Sequence, residues 1–470
     1  MLTLSRPGSG FRRCAIVLIC LLPLPAAEIV VTSGSRVVID DREPLALRKA
    51  AADLSSDLAK TLGTSGARGP SIVVALDFNL PSTIARPQAT EASRIVATRS
   101  TVVLTGADTR GAIYAVYEFS RRWLGVDPLW FWTDHPPARR RDVHLEAGAV
   151  IDIPPPVFRR RGWFINDEDL LTGWRPGAAD GTGISLAAWD RIFEALLRLR
   201  GNMIVPGTFI FPDEPQVRAA SDRGLIVSQH HIEVLGANTW RWPEDQPYSF
   251  ATHPEILSRA WRNSMLGYRP DQEVIWTVGY RGRHDRAFWE DDPGIPPTDE
   301  ARAATIRRAI DRQMEIVRAA RRDPMFIMNA WDEAVPLIEK GLLKLPAGVT
   351  LVWPDNGHGV IRDGGRIAKG QGVYYHTAMH NFVANQLTEM VPLERIEREL
   401  TRAARAGATE YLLVNVSDVR PYPMTTRAVM EIGERGADWS AASYLDRWSR
   451  EEFGDKAAAR AFAKHLGVPV

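Results

Sequence analysis

The residues best suited to acid–base chemistry come in short polar clusters, each closing an apolar run. Phe158-Arg-Arg-Arg-Gly-Trp-Phe-Ile165 stops at Asn166, Asp167 and Glu168. Leu225 to Gln229 stops at His230 and His231, Glu273 to Tyr280 at Arg281 with Asp285 close behind, and Pro324 to Ala330 is followed by Asp332 and Glu333. Val349 to Trp353 gives way to Asp355 and Asn356, Gly372 to Tyr375 to His376, and Glu410 to Val414 to Asn415, with Asp418 beyond it. Carboxylates facing one another across a pocket supply the general acid and base that cleavage of a glycosidic bond needs. Histidines and asparagines suit hydroxyl groups, and a guanidinium can hold a carboxylate through two bonds.

An apolar run that ends in polar groups reads as a buried strand delivering chemistry at its C-terminal end. The strand-like runs begin at Phe158, Asn202, Leu225, Glu273, Pro324, Val349, Gly372 and Glu410. Most are followed by an amphipathic helical pattern, as in 186–199, 254–266, 300–321 and 393–406. Eight such repeats predict a closed (β/α)8 TIM barrel over 158–436, which works at the C-terminal ends of its strands. Because neighbours on a strand point to opposite faces, only one of His230 and His231 is expected in the pocket, and we assign His231. The loops hold no His-x-His or His-Glu-x-x-His spacing, so neither a metal centre nor a cofactor is expected.

Residues 28–152 read as a small α/β domain. Ile29–Val31 and Val37–Ile39 suggest a hairpin turning at Ser33-Gly-Ser35, a helix follows over 44–62, and strands follow at 71–76 and 101–105. Gly106 to Gly111 opens a helix but lacks the signatures of a phosphate loop. Pro136-Pro137, Arg139 to Arg141 and Pro154-Pro-Pro156 mark a linker. At the start, Arg6, Arg12 and Arg13 precede the apolar run Cys14 to Leu22 and Pro23-Leu-Pro-Ala-Ala27, the pattern of a signal peptide over 1–27 and of a secreted or periplasmic protein. The full chain carries 58 basic and 57 acidic residues; without that segment the balance is 55 to 57, which argues against nucleic acid or a membrane as partner. Both cysteines, Cys14 and Cys20, lie within it, so the mature chain has no thiol chemistry. Among fifteen tryptophans, Trp240, Trp242, Trp289 and Trp331 fall in or beside loops, where an indole face can stack on a sugar.

Arg161-Gly-Trp-Phe-Ile-Asn-Asp-Glu168 with Gly173-Trp174, Leu197-Arg-Leu-Arg-Gly-Asn202, Ser228-Gln-His-His231, Gly279-Tyr-Arg-Gly282 and Lys340-Gly-Leu342 resemble glycoside hydrolase family 115, the xylan α-1,2-glucuronidases. So do Leu351-Val-Trp-Pro-Asp-Asn356, Gly372-Val-Tyr-Tyr-His376 and Val414-Asn-Val-Ser-Asp418, and the resemblance runs from about Gly106 to Phe453. It implies an accessory α/β domain before a catalytic barrel, and removal of glucuronic acid or its 4-O-methyl ether from xylan with inversion. Glu333, Asp285 and Asp355 are then the expected catalytic carboxylates, with Glu333 the acid or its partner and Asp285 or Asp355 the base. Asn166, Glu168, His231, Arg281, Asn356, His376 and Asn415 are the expected substrate-binding residues, Arg281 holding the uronate carboxylate. A polysaccharide or oligosaccharide is the expected partner, with a homodimer as the candidate assembly. The chain departs from the family at Arg281-Gly-Arg-His-Asp285, where a cation stands for an acid, at Trp331-Asp-Glu333, and at Pro354-Asp-Asn-Gly-His-Gly359, which lacks an aromatic. The resemblance also implies domains after the barrel, so that 437–470 reads as a truncated helical segment. The alternative expectations are a carbohydrate-binding barrel without turnover and a glycosidase for another sugar.

Overall fold

The computed structural model describes residues 27–64, 66, 68–166, 170–172, 183–378, 386, 388–454 and 461. Its first part builds two small sheets. Strands β1 (Glu28–Val31), β2 (Arg36–Val38), α1 (Leu45–Leu62), β3 (Ser71–Val74), β4 (Ser93–Ala97), β5 (Thr101–Gly106), α2 (Thr109–Phe119), β6 (Val143–Glu146) and β7 (Val150–Ile153) follow one another. Five strands form a mixed sheet in the order β2-β3-β5-β4-β7, and β1 pairs with β6 alone. The expected hairpin between the first two strands is therefore wrong. The turn exists, with Ser35 N–H on the Thr32 carbonyl, but it sends β1 to an antiparallel partner and β2 to a parallel one.

The second part alternates strand and helix: β8 (Arg161–Phe164), α3 (Leu186–Arg198), β9 (Met203–Val205), α4 (Pro215–Asp222), β10 (Ile226–Val227), α5 (Pro254–Gly267), β11 (Ile275–Thr277), α6 (Asp299–Arg318), β12 (Met325–Asn329), α7 (Ala334–Glu339), β13 (Val349–Pro354), β14 (Gly372–His376), α8 (Leu393–Arg405), β15 (Tyr411–Asn415), α9 (Pro423–Arg435) and α10 (Ala441–Phe453). All eight strands pair in parallel, in the order β10-β9-β8-β15-β14-β13-β12-β11. One bridge, Val227 to Val274, joins the ends of that row. The result is an eight-stranded, nearly closed TIM-like barrel with its seam between β10 and β11.

Strand alternation sorts the barrel residues into two cores. Phe164, Met203, Val205, Ile226, Ile275, Ile327, Val352, Tyr374, Tyr411 and Leu413 fill the interior. Their neighbours Trp163, Ile204, Trp276, Phe326, Trp353 and Leu412 face the helices and join the large outer core. Polar caps start the helices where the sequence offers them: Ser185 accepts from Ala188 N–H before α3, and Thr298 from Ala301 N–H before α6.

The small sheets dock beneath the barrel, at the N-terminal ends of its strands. Arg161, at the start of β8 and fully buried, donates to Glu91 at 2.7 Å and to the Tyr114 hydroxyl at 3.1 Å. Asn202, just before β9, donates to the other Glu91 oxygen at 2.8 Å and accepts from Arg161 N–H. Arg198 of α3 meets Asp57 of α1 at 2.7 Å, and Arg110 of α2 meets Glu273 at 2.8 Å. Two residues prominent in the sequence motifs, Arg161 and Asn202, thus belong to an ionic joint and leave the opposite face of the barrel to chemistry.

Candidate active site

The C-terminal ends of β10, β11 and β12 converge on one cluster of charge. Arg281 lies between two carboxylates: Nη2 is 3.0 Å from Asp285 Oδ1 and Nη1 is 3.4 Å from Glu333 Oε2. His231 Nε2 meets the same Asp285 oxygen at 3.0 Å. The His231 ring stacks on Trp331 with centroids 3.9 Å apart. His231, Arg281, Asn329, Trp331 and Glu333 line a single cavity. Several buried polar atoms there meet no hydrogen-bond partner within the protein, among them Arg281 Nε and Nη1, Asn329 Oδ1 and His231 Nδ1. Buried polar groups are ordinarily paired, so such a concentration marks a place where a polar ligand binds.

The electrostatics separate the two carboxyls. Burial raises Glu333 to about 7, against the lowering pull of Arg281. Burial would also raise Asp285, but His231 and Arg281 overcome it and hold that carboxyl well below the usual carboxylate range. Burial keeps His231 below its ordinary value, so the ring is neutral at pH 7 and donates its Nε2 proton to Asp285. One carboxyl retains a proton near neutrality while its neighbour stays ionised, a division that suits an acid and a base.

The loop that presents Asp285 is held from behind. His284 and Asp285 have φ of 55° and 60°, which non-glycine residues take up only when the surroundings impose it. Asp291 imposes it, accepting from Arg283 N–H at 2.7 Å and from the guanidinium groups of Arg283 and Arg286. Arg283, the cation that replaces an acid in the sequence comparison, therefore turns away from the pocket to Asp291.

The remaining strands deliver a second, quieter group. Asp355 is buried and accepts four bonds: from Gly357 N–H at 2.8 Å, Gly359 N–H at 3.1 Å, His376 N–H at 2.9 Å and His376 Nδ1 at 2.6 Å. Its lone pairs are engaged in orienting His376 and shaping the 355–361 turn, whereas Asp285, the other carboxylate expected as a base, lies in the charged cluster. Asn356 is exposed and closes the same turn, accepting from His358 and Val360 N–H, so it does not reach the cluster as expected. Asn415 donates to the Tyr374 hydroxyl at 3.2 Å, and the Tyr374 and His376 rings lie 4.7 Å apart. Asn166 is half-buried and accepts from Thr208 at 2.8 Å. Glu168 lies outside the described residues.

His230 and His231 both enter the site, against the expectation from strand alternation. β10 ends at Val227, so the alternation rule does not extend to them. The His230 ring packs 4.5 Å from Phe164 and 4.0 Å from His231. Tyr374 and Asn329 escaped the sequence reading although the signal was present: each continues the inward face of its strand. Of the four loop tryptophans, Trp331 lies in the cluster and Trp240 is 51% exposed, beside Phe209 at 4.7 Å and His284 at 4.4 Å. Trp242 packs on Tyr248 and Trp289 lies under Arg302.

The fold is shared with solved glycoside hydrolases. BtGH115A, described as a family GH115 4-O-methyl-α-glucuronidase with specificity for decorated arabinogalactans, superposes with a TM-score of 0.78 at 23% identity over 93% of this chain. A GH138 enzyme targeting pectin rhamnogalacturonan II superposes with a TM-score of 0.57 at 14% identity over 92% of the chain. The chain spans 62% and 55% of those two structures. No curated protein matches the sequence. Residues 154–466 match glycosyl hydrolase family 115, and the chain belongs to that family.

Proposed function

We propose that this protein removes glucuronic acid, or its 4-O-methyl ether, from a plant polysaccharide by inversion. The observation that carries the reading is Arg281 shared by Glu333 and Asp285, one carboxyl raised to about 7 and the other kept ionised. Glu333 is the general acid that protonates the leaving oxygen. Asp285, oriented by His231, is the base that activates water. Inversion asks for carboxyls roughly 6.5–9.5 Å apart with water between base and anomeric carbon. Arg281 is deeply buried and already bound to Asp285, so its free Nη1 serves the uronate carboxylate and Glu333 together. Xylan is the substrate we favour from the sequence motifs; the decorated arabinogalactans named for BtGH115A form the other substrate class to try. The basic and apolar character of 1–27 supports export to the periplasm or beyond, where such polymers are met.

The test is release of glucuronic acid from glucuronoxylan oligosaccharides and from arabinogalactan, with the anomer of the first product read by proton NMR. Activity lost in Glu333→Gln and in Asp285→Asn, with the β-anomer released first, agrees with the proposal. A fully active Glu333→Gln, or a first product that retains the α configuration, refutes it.

A further inference from the structure

Strand β11 leaves the sheet before it reaches the chemistry it carries. Its ladder ends at Thr277, Val278 N–H adds one bond to the Ile327 carbonyl, and Arg281 stands three residues further on. Between them Gly279 takes φ of +148°, a region open to glycine and not to L side chains. Both of its backbone polar groups are taken by one side chain. Gln313 of α6, completely buried, accepts from Gly279 N–H at 2.9 Å and donates to the Gly279 carbonyl at 2.6 Å. A carboxamide offers a donor and an acceptor side by side, as a peptide group does.

The seam side of β11 is closed by Gln229, through its side-chain oxygen and its backbone carbonyl. Gln229 Oε1 accepts from Thr277 N–H at 2.9 Å, and Thr277 Oγ1 donates to the Gln229 carbonyl at 2.9 Å. Two glutamine amides therefore do for the end of β11 what neighbouring strands do elsewhere in the barrel. His230 and His231 follow Gln229 directly, and Arg281 follows Gly279 by two residues.

We propose that Gln313 is a positioning residue for Arg281, its amide replacing an absent strand and so fixing where the guanidinium lies between Asp285 and Glu333. The proposal deepens the functional reading, because it matters to catalysis only if Glu333 is the acid. Removing the amide leaves a buried N–H and C=O unsatisfied, and segment 278–281 must shift to repair them. The 3.4 Å contact of Arg281 with Glu333 is the longer of its two ionic contacts and is the first to fail. The charged groups around Glu333 are Arg281 and Asp285 from the loop after β11 and Asp332 beside it, with His231 behind Asp285. Arg281 is the cation among them that lowers Glu333, so its displacement moves the Glu333 titration to higher pH.

Gln313→Met keeps the side-chain length and removes both bonds. The readout is the pH midpoint at which each protein and its own Glu333→Gln partner diverge in stability, which requires no turnover. Gln313→Met should raise that midpoint by about one pH unit, Arg281→Met should raise it similarly, and the double variant should add nothing. The alkaline limb of kcat/KM should move by the same amount. Gln313→Glu is the rescue: protonated at pH 5 it offers one donor and one acceptor, and it should match wild type there. If Gln313→Met fails to fold, the comparison of Gln313→Glu at pH 5 and pH 8 decides. An unmoved midpoint, additivity with Arg281→Met, or no rescue at pH 5 overturns the proposal. Absence of glycosidase activity in the wild type would instead overturn the functional reading and leave the stability midpoint to judge Gln313.

Discussion

Glu333→Gln should stabilise the protein at alkaline pH while removing its activity. The side chain is 6% exposed, and burial raises its carboxyl from the ordinary 4.5 to about 7. The folded state therefore binds the proton more tightly than the unfolded state. The stability this contributes is fully present below pH 4.5 and is lost as pH rises through about 7, because the unfolded chain releases the proton more readily. The gap is worth about 3 kcal/mol once both states are ionised. A glutamine has nearly the same shape, can still accept from Arg281, and has no proton to lose. Urea unfolding followed by circular dichroism at intervals from pH 4.5 to 8 should show the variant gaining about 3 kcal/mol on wild type across that range. Glu389, a carboxyl that burial also raises to about 7 against the lowering effect of the bonds it accepts from Thr425 and Met424, adds a similar slope to both proteins and cancels in the difference. A difference between the two proteins that stays flat with pH, or that falls as pH rises, would refute the assignment of Glu333 as a desolvated acid.

Activity itself should fall as pH rises through about 7, since the acid must hold its proton while Asp285 is ionised across the whole range; a kcat/KM still climbing at pH 8.5 would contradict this. Glu91→Ala leaves Arg161 as a buried charge without its partner and should cost about 3–5 kcal/mol in urea unfolding. A loss under 1 kcal/mol would mean that the joint beneath the barrel is not structural. Asp355→Asn turns a donor toward N–H groups that need an acceptor, so we expect a loss of about 1–3 kcal/mol. Turnover by the folded fraction should survive that substitution, and its loss in a protein that still folds would return Asp355 to the role of base. Trp240→Ala removes an exposed ring at the rim and should raise KM for an oligosaccharide roughly fivefold, from ~1 kcal/mol of lost apolar contact. An aryl glucuronide, which does not extend to the rim, should be unaffected; an equal loss on both substrates counts against a rim subsite.

Much of the architecture was legible in the chain by itself. Apolar runs of strand length alternating with amphipathic segments require strands buried on both faces and helices covering them, and only a barrel or a doubly wound sheet meets that demand. The same runs point to their polar ends, which is why Glu333, Asp285, Arg281 and His231 could be named before any coordinate was known. What local pattern could not decide was how each polar group is used. Asp355 and Asp285 look alike in sequence, but the turn at 355–361 and His376 together engage the lone pairs of one, while Asp291 holds the other out toward His231 and Arg281. Arg161 and Asn202 sit in the same motifs as pocket residues, yet they lie at the opposite ends of their strands and fasten the barrel to Glu91 beside the small sheets. Gln229 and Gln313 carry no sequence signal, because their task arises only where β10 and β11 part and Gly279 is left without a neighbour. Periodicity decides which face and which end of an element a residue occupies; only the meeting of elements distant in sequence decides which lone pairs are satisfied, which charges are desolvated, and hence which carboxyl keeps its proton.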